Sequence, residues 1–213
     1  MCDPCHTDRM GWYERQVLPR IVDLSLRNAD FARIRAKLVG DLDGEVLEIG
    51  FGSGLNVPHY PATVTRVLAI DPATTGRKLA AERIARCAVP IEFAGLDAGA
   101  LPADDGSVDH VLSTWTLCTV PDPALALAEV WRVLRPGGSL NFAEHGLSPD
   151  EKVAKFQHRF TPVQRRIFGG CHLDRPIDKL ITGAGFELSR LDNYYMRGAK
   201  AVGYTFEGVA VRP

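Results

Sequence analysis

The chain has 213 residues, of which 46% are hydrophobic and 24% charged, and its formal net charge is -1. This length most simply forms one domain with one core, and the near-neutral charge gives no support for nucleic acid as a partner. No apolar run approaches the ~18 residues that cross a bilayer, and the polar start lacks a signal-peptide core, so we expect a cytoplasmic protein without stable membrane insertion.

The five cysteines are an odd number scattered along the chain, which favours free thiols over disulfides. Cys2-Asp3-Pro4-Cys5-His6 matches the spacing of haem attachment, but that chemistry needs export. A chance match is therefore favoured, with adventitious metal binding as the smaller alternative. No group of metal ligands has convincing spacing along the chain, so no metal site is predicted.

Apolar residues three and four apart predict two amphipathic helices between residues 9 and 40. The break falls near residues 28–30, where Asn28 or Asp30 would cap the second helix. Pro19 would either kink the first helix or occupy its first turn. We expect residues 1–40 to form a lid over the site.

From residue 41 to 144, strand and helix signals alternate. Strands are predicted at 46–49, 64–70, 91–94, 108–113 and 139–143, and helices at 74–87 and 123–134. This order predicts a Rossmann-like, doubly wound α/β fold with a mainly parallel sheet, helices on both faces and ligands at the carboxyl ends of the strands.

The last third of the chain has a different pattern. Residues 145–173 form a long connection, which we interpret as a substrate loop because long loops at the ligand edge usually carry specificity. Residues 174–213 predict a helix at 174–184 and then strands at 186–191 and 201–211, joined by a turn at 193–200, as an antiparallel pair. There is no sign of a second folding unit, so residues 1–213 are taken as one domain.

A glycine loop follows the first strand in Glu-Ile-Gly-Phe-Gly-Ser-Gly, residues 48–54. Glycine lets a chain turn sharply and lets a ligand lie against its backbone. Because a carboxylate would repel a pyrophosphate, Glu48 favours a ligand with a cationic group over a dinucleotide.

Two acids follow the next two strands. Asp71 lies where an acid grips ribose hydroxyls, and the carboxylate of Asp97 could accept a hydrogen bond from an adenine amino group. Each acid alone is more often a turn or cap residue. Together with Glu48 and the glycines, at the ends of successive strands, they predict one cofactor site.

Five stretches resemble the class I S-adenosylmethionine-dependent methyltransferases. They are Leu-Glu-Ile-Gly-Phe-Gly-Ser-Gly (47–54), Ala-Ile-Asp-Pro (69–72), Gly-Leu-Asp-Ala-Gly-Ala-Leu-Pro (95–102), Gly-Ser-Val-Asp-His-Val (106–111) and Glu-Val-Trp-Arg-Val-Leu-Arg-Pro-Gly-Gly (129–138). The resemblance covers about Val46 to Ala143 and implies S-adenosyl-L-methionine as the cofactor of an enzyme.

The same resemblance implies a role for each part of the site. The glycines lie against the methionine part, and Glu48 supports that loop or the ammonium. Asp71 holds the ribose, Asp97 and the Ala98 backbone read adenine, and residues 114–117 flank the methyl group. The predicted cofactor-binding residues are Glu48, Gly50, Gly52, Ser53, Gly54, Asp71, Pro72, Asp97, Ala98, Thr114 and Leu117.

Three shorter stretches are similar to the small methyltransferase-like group that includes thiol S-methyltransferases. They are Thr-Leu-Cys-Thr-Val (116–120), Phe-Ala-Glu-His (142–145) and Gly-Cys-His-Leu (170–173). This likeness implies a small-molecule acceptor, with a thiol or sulfide as the first expectation. The alternatives are C- or O-methylation of a quinone-like or phenolic substrate, and a protein that binds the cofactor without transfer. A nicotinamide oxidoreductase is disfavoured because the third glycine comes one residue early.

The candidate catalytic residues are His145, Glu144 and His172. A thiol of pKa ~8.5 needs little base assistance, whereas a phenol needs a positioned base. His145 could take the acceptor's proton, oriented by Glu144; alternatively, both residues only hydrogen-bond loop backbone.

Other side chains of this region are assigned simpler roles. Cys171 beside His172 invites a covalent mechanism, but a packed loop thiol is favoured, and Cys118 is expected in the pocket wall. Arg165 and Arg166 would either attract an anionic acceptor or form a solvated face. The oligomeric state is left open.

Overall fold

The computed structural model describes residues 11–198 and 200–213. The Cys2, Cys5 and His6 group lies outside these residues. Within the described part of the chain, none of the helices has the length and apolar character needed to cross a membrane.

A seven-stranded sheet forms the centre of the molecule, in the order β3-β2-β1-β4-β5-β7-β6. The first five strands pair in parallel, and β7 pairs antiparallel with both β5 and β6. This arrangement confirms the predicted Rossmann-like fold. The strands are β1 (Gly44–Ile49), β2 (Val64–Ile70), β3 (Ile91–Gly95), β4 (Val108–Thr114), β5 (Leu134–His145), β6 (Glu187–Tyr195) and β7 (Tyr204–Val211).

Helices cover both faces of the sheet, and the side chains of β1 pack against helices on each face. Side chains alternate between the faces of a strand, so Val46 and Leu47 lie in different apolar clusters, the first with α2 and the second with α4 and α6. The helices are α1 (Leu18–Ser25), α2 (Ala29–Val39), α3 (Thr74–Ala85), α4 (Pro123–Val133), α5 (Glu151–Ile167), α6 (Ile177–Gly183) and α7 (Lys200–Gly203).

The N-terminal helices form as predicted, and the structure resolves two open points. Pro19 lies in the first turn of α1, which follows a π-helical turn at Tyr13–Val17. Asn28 caps α2, because its side chain accepts hydrogen bonds from the backbone N–H groups of Asp30 and Phe31. The first turn tolerates proline because its N–H groups have no partner inside the helix.

Several predicted boundaries were displaced. α3 ends at Ala85 rather than 87, α4 ends at Val133 rather than 134, and β5 begins at Leu134 rather than 139. The Arg-Pro-Gly-Gly stretch at 135–138 separated the predicted helix at 123–134 from the predicted strand at 139–143. It continues the strand instead, where the N–H of Gly137 donates to the carbonyl of Arg212.

The prediction of an irregular substrate loop at residues 145–173 was wrong in its middle part. Asp150 caps the seventeen-residue helix α5, with its side chain accepting from the N–H groups of Lys152 and Val153. The apolar residues Val153, Phe156, Phe160, Val163 and Ile167 are three and four apart, so the helical period was present in the sequence and was overlooked. Pro162 lies inside the continuous helix.

The C-terminal antiparallel strands were predicted correctly, with different bounds. α6 starts at Ile177 rather than 174. The short helix α7 takes the last residue of the predicted turn and the first three residues of the strand predicted at 201–211. β7 then inserts between β5 and β6. β5, which ends at His145, is therefore an inner strand of the sheet rather than an edge strand.

Candidate active site

The carboxyl ends of the four parallel strands β1 to β4 lie along one edge of the sheet. Gly50 follows β1, Asp71 follows β2, Asp97 follows β3 and Thr114 ends β4. The residues predicted to bind the cofactor therefore converge on one edge, as parallel pairing requires.

The glycine loop has a backbone that only glycine adopts easily. Gly50, Gly52 and Gly54 have φ angles of 71°, 54° and 71°. Asp71 holds this loop, with Oδ2 accepting from the N–H of Gly52 at 2.7 Å and Oδ1 accepting from the N–H of Ala73 at 2.6 Å. A carboxylate offers about four acceptor sites, so Asp71 retains capacity for hydroxyl donors.

Glu48 lies beneath the loop in a buried polar network. Asn56 Nδ2 donates to Glu48 Oε1 at 2.7 Å, and the hydroxyl of Tyr60 donates to Oε2. Burial raises the pKa of Glu48 to about 7, although these two hydrogen bonds and the charge of Arg35 oppose the shift. The contacts of Glu48 are those of a residue that supports the loop from below.

The other predicted cofactor residues differ in their surroundings. Ser53 is buried, and its carbonyl accepts from the guanidinium of Arg83 at 2.6 Å. Asp97 is exposed and closes a local turn, with Oδ1 accepting from the N–H of Gly99. Pro72 is exposed and Ala98 half-buried, whereas Thr114 and Leu117 are buried.

These surroundings fit S-adenosylmethionine. The buried Oδ1 of Asn56 has no hydrogen-bond partner among the described residues, and an ammonium donor would satisfy it. A Cβ atom added to Gly52 would meet only the carbonyl oxygen of Gly50, at 3.8 Å, so the loop is open at this glycine. The site thus combines the buried oxygen of Asn56, the open backbone at Gly52 and the carboxylate of Asp71 at the end of β2.

Glu144 is fully buried and holds the turn after β4. Its carboxylate accepts from the hydroxyl of Ser113 at 2.6 Å and from the backbone N–H groups of Thr116, Leu117 and Cys118 at 3.0 to 3.1 Å. Burial raises the pKa of Glu144, and these four donors oppose the shift. Its oxygens are therefore occupied by the turn and not directed at His145.

His145, Cys118 and Cys171 come together in space although they are far apart in the chain. Cys171 Sγ lies 3.8 Å from Cys118 Sγ and 3.9 Å from His145 Nδ1. Both thiols are buried, while His145 is half-buried. The hydrogen bond with Cys118 is the largest cause that lowers the pKa of the Cys171 thiol to about 5, and the contact with His145 adds to it. The same hydrogen bond with Cys171 holds the pKa of the Cys118 thiol well above its usual range.

His172 lies beside this cluster rather than within it. Its backbone N–H donates to the carbonyl of Cys118 at 2.7 Å, and its Nδ1 lies 3.8 Å from an oxygen of Asp174. Desolvation and the neighbouring charges of Arg175 and Arg165 lower the pKa of His172. Its neutral ring faces an acid, and its backbone secures the turn that carries Cys118.

Trp115 lies within residues 114–117, which the sequence predicted to flank the methyl group, but its conformation was not foreseen. It has a φ of 54°, which is rare for a bulky residue, and its ring packs edge-on against Phe31 at 4.7 Å and under the guanidinium of Arg35 at 4.8 Å. Its indole N–H is buried without a partner among the described residues. No propensity rule predicts a tryptophan with a left-handed backbone conformation. Its position directly after β4 was the one feature of the sequence that placed it near the site.

Comparison with known proteins agrees with this geometry. The family described as "Methyltransferase domain" matches residues 47–142. Thiol S-methyltransferase TMT1A of Homo sapiens is 33% identical over 185 residues, which cover 85% of this chain and 73% of that protein. Thiol S-methyltransferase TMT1B of Homo sapiens is 37% identical over 147 residues, which cover 66% of this chain and 59% of that protein.

A solved structure shows the same fold at low identity. It is the N-methyltransferase NodS of Bradyrhizobium japonicum WM9 in complex with S-adenosyl-L-homocysteine, with a TM-score of 0.68 and 16% identity, covering 93% of each chain. At this identity the likeness concerns the fold alone.

Proposed function

The chain belongs to the class I S-adenosylmethionine-dependent methyltransferases, close to the thiol S-methyltransferases, and we propose that it methylates a small-molecule thiol or sulfide. The observation that carries this proposal is the 33% identity to a thiol S-methyltransferase over 85% of the chain. The sulfur-rich pocket wall formed by Cys118 and Cys171 supports it, since a soft, polarisable wall suits a sulfur acceptor.

The residues of the chain would divide the work between binding and alignment. S-adenosylmethionine supplies an electrophilic methyl group on a sulfonium. We propose that Asp71 holds the ribose, that Asp97 and the Ala98 backbone contact adenine, and that the loop at 50–54, supported by Glu48, holds the methionine part. The neighbouring Pro72 and residues 114–117 complete the predicted contacts.

We propose that the acceptor lies beside Trp115 and His145, whose ring centroids are 6.4 Å apart. Methyl transfer needs an in-line approach and a desolvated nucleophile, so the buried surroundings contribute mainly through orientation and exclusion of water. Glu144 contributes by holding the turn at 115–118. His172 contributes through its backbone contact with Cys118. We propose both as positioning residues.

An acceptor panel tests the proposal directly. S-adenosylhomocysteine release is measured with hydrosulfide, a small alkyl thiol, a phenol, a quinol and a phospholipid amine, against a blank without acceptor. We expect turnover with the two sulfur acceptors only. Asp71→Ala is the matched control and should lose cofactor affinity by roughly ten- to a hundredfold. Turnover with the phenol or quinol alone would overturn the thiol assignment.

A phenolic or quinone-like acceptor is the second candidate, for which we propose the half-buried imidazole of His145 as the base. A phenol of pKa ~10 needs such a base at neutral pH. In that case His145→Ala would lose most of its turnover with the phenol near pH 7 and recover part of it as pH rises. A pH–rate profile with that acceptor separates the two candidates.

A further inference from the structure

Three metal-binding side chains converge beside the acceptor position. Cys118 follows β4, His145 ends β5 and Cys171 follows α5. Their ligand atoms all lie within 4.8 Å of one another. Thiolate sulfur and imidazole nitrogen are the ligand types that zinc and related soft cations select.

The three ligand atoms are close enough together for a tetrahedral ion. With metal–sulfur bonds of about 2.3 Å and metal–nitrogen bonds of about 2.0 Å, tetrahedral geometry separates two sulfurs by about 3.8 Å and sulfur from nitrogen by about 3.5 Å. The two sulfurs are 3.8 Å apart, Cys171 Sγ is 3.9 Å from His145 Nδ1, and the remaining pair lies within 4.8 Å. We propose that Cys118, His145 and Cys171 bind a zinc-class divalent cation and leave its fourth coordination position open.

The charges around the cluster suit such an ion. Two thiolates and a neutral imidazole balance a divalent cation, so the bound site would be neutral. The charged groups nearby, Glu144 and Arg175, have opposite signs. A neutral centre costs little to bury, compared with an isolated charge.

Neighbouring contacts hold the ligands in place. The backbone of Cys118 is fixed on both sides, since its N–H donates to Glu144 and its carbonyl accepts from His172. The side chain of Gln164, on α5, is hydrogen-bonded to the thiol of Cys171. Such outer contacts orient the ligands of metal sites.

Three protein ligands with an open fourth position characterise catalytic rather than structural zinc sites. Resting on the proposed function, we assign that position to the acceptor thiol. A coordinated thiol loses its proton to solvent and is held as a thiolate. The thiolate then forms the new sulfur–carbon bond as the methyl–sulfonium bond breaks and its electron pair stays on the departing thioether sulfur.

The test uses the full-length chain with the other three cysteines replaced. Cys2→Ser and Cys5→Ser remove a second possible metal group, and Cys87→Ser removes a thiol whose contact is with the carbonyl of Val57. Cobalt(II) is titrated into this triple variant under reducing conditions without cofactor. We expect one equivalent to bind, with sulfur-to-cobalt charge-transfer bands and tetrahedral visible bands.

Further substitutions in the triple variant locate the site. Cys171→Ser should lower the intensity of the charge-transfer bands and weaken cobalt binding at least tenfold. His145→Gln should weaken cobalt binding without removing the bands. Circular dichroism checks that each variant is folded. Absence of cobalt binding, binding that is unchanged in Cys171→Ser, or rapid formation of a Cys118–Cys171 disulfide in place of metal binding would overturn the proposal.

Addition of ethanethiol tests the open position separately from turnover. A shift of the visible cobalt bands supports thiol coordination, and unchanged bands overturn it. Thiol methylation by chelator-treated, metal-free protein would overturn the metal assignment while leaving the proposed function intact. Metal binding without turnover of any thiol would overturn the proposed function and the assignment of the fourth ligand.

Discussion

Glu48 is a buried acid whose ionisation falls near neutral pH. Burial raises its pKa from 4.5 to about 7. The pKa of Glu48 is higher in the folded state than in the unfolded state. The protonated carboxyl therefore makes its full contribution to the stability of the fold below pH 4.5, and this contribution is lost as pH rises through 7. The loss amounts to about 3 kcal/mol.

Glu48→Gln removes this ionisation. We predict that the difference in free energy of unfolding between the native chain and the variant changes by up to about 3 kcal/mol between about pH 5 and pH 8. Urea denaturation at several pH values measures it. The exposed Glu92, changed to Gln, is the control and should give a nearly constant difference. A constant difference for Glu48→Gln would contradict the raised pKa.

Glu144 allows a second prediction for a single residue. Its two oxygens face four donors, three of them backbone N–H groups. Glu144→Gln would turn one acceptor into a donor that faces an N–H group, and we expect a loss of about 1–3 kcal/mol in stability. Thermal denaturation measures this loss.

Ser113→Ala is the matched control for Glu144→Gln, because it removes one donor and leaves the acceptors intact. We expect it to lower stability by only about 1 kcal/mol. Equal effects of the two substitutions would show that the backbone donors do not need the carboxylate.

Among the elements, the strands were easier to predict than the helices. The buried runs of β1, β2 and β4 are short, apolar and bounded by turn residues, so pattern alone located them. The apolar residues of α5 are three and four apart and indicated a helix, but the residues that it buries, Gln157, Thr161 and Gln164, are polar. The hydrophobic period therefore could not predict which face of α5 packs against the molecule.

Pro162 makes α5 a place to test helix stability. It is exposed in the interior of the helix and cannot donate to the carbonyl four residues earlier. We predict that Pro162→Ala stabilises the fold by about 1–3 kcal/mol, as measured by urea denaturation. Val163→Ala, next to it and also exposed, should change stability by less than about 0.5 kcal/mol. A destabilised Pro162→Ala would indicate that the packing of α5 requires the proline.

For the whole molecule, the sequence predicted the cofactor edge far better than the acceptor side. The cofactor residues follow successive strands, so their order in the chain already places them together. The acceptor side draws its residues from separate elements: Cys118 follows β4, His145 ends β5 and Cys171 follows α5. Arg35 reaches Trp115 from α2. Their proximity depends on how the helices dock, and neither spacing nor composition contains that information.

An ion-pair group joins α2 to the last two strands of the sheet. Lys37 on α2 lies 2.7 Å from Glu207 on β7 and 2.9 Å from Asp192 on β6. Glu207 is almost fully buried, and its other oxygen accepts from the hydroxyl of Tyr194 at 2.6 Å. This group therefore holds α2 against the antiparallel strands.

Lys37→Met keeps the aliphatic packing but leaves Glu207 with Arg190, at 3.9 Å, as its one cationic neighbour in the described part of the chain. We predict a loss of about 1–3 kcal/mol in the free energy of unfolding, because a buried carboxylate loses its nearest cation. Lys78→Met, at an exposed site on α3, should change stability by less than about 0.5 kcal/mol. Adding Glu207→Gln to Lys37→Met should restore part of the loss, since the uncompensated charge is then gone. If the double variant were as unstable as the sum of the two single ones, α2 would be held by apolar packing alone.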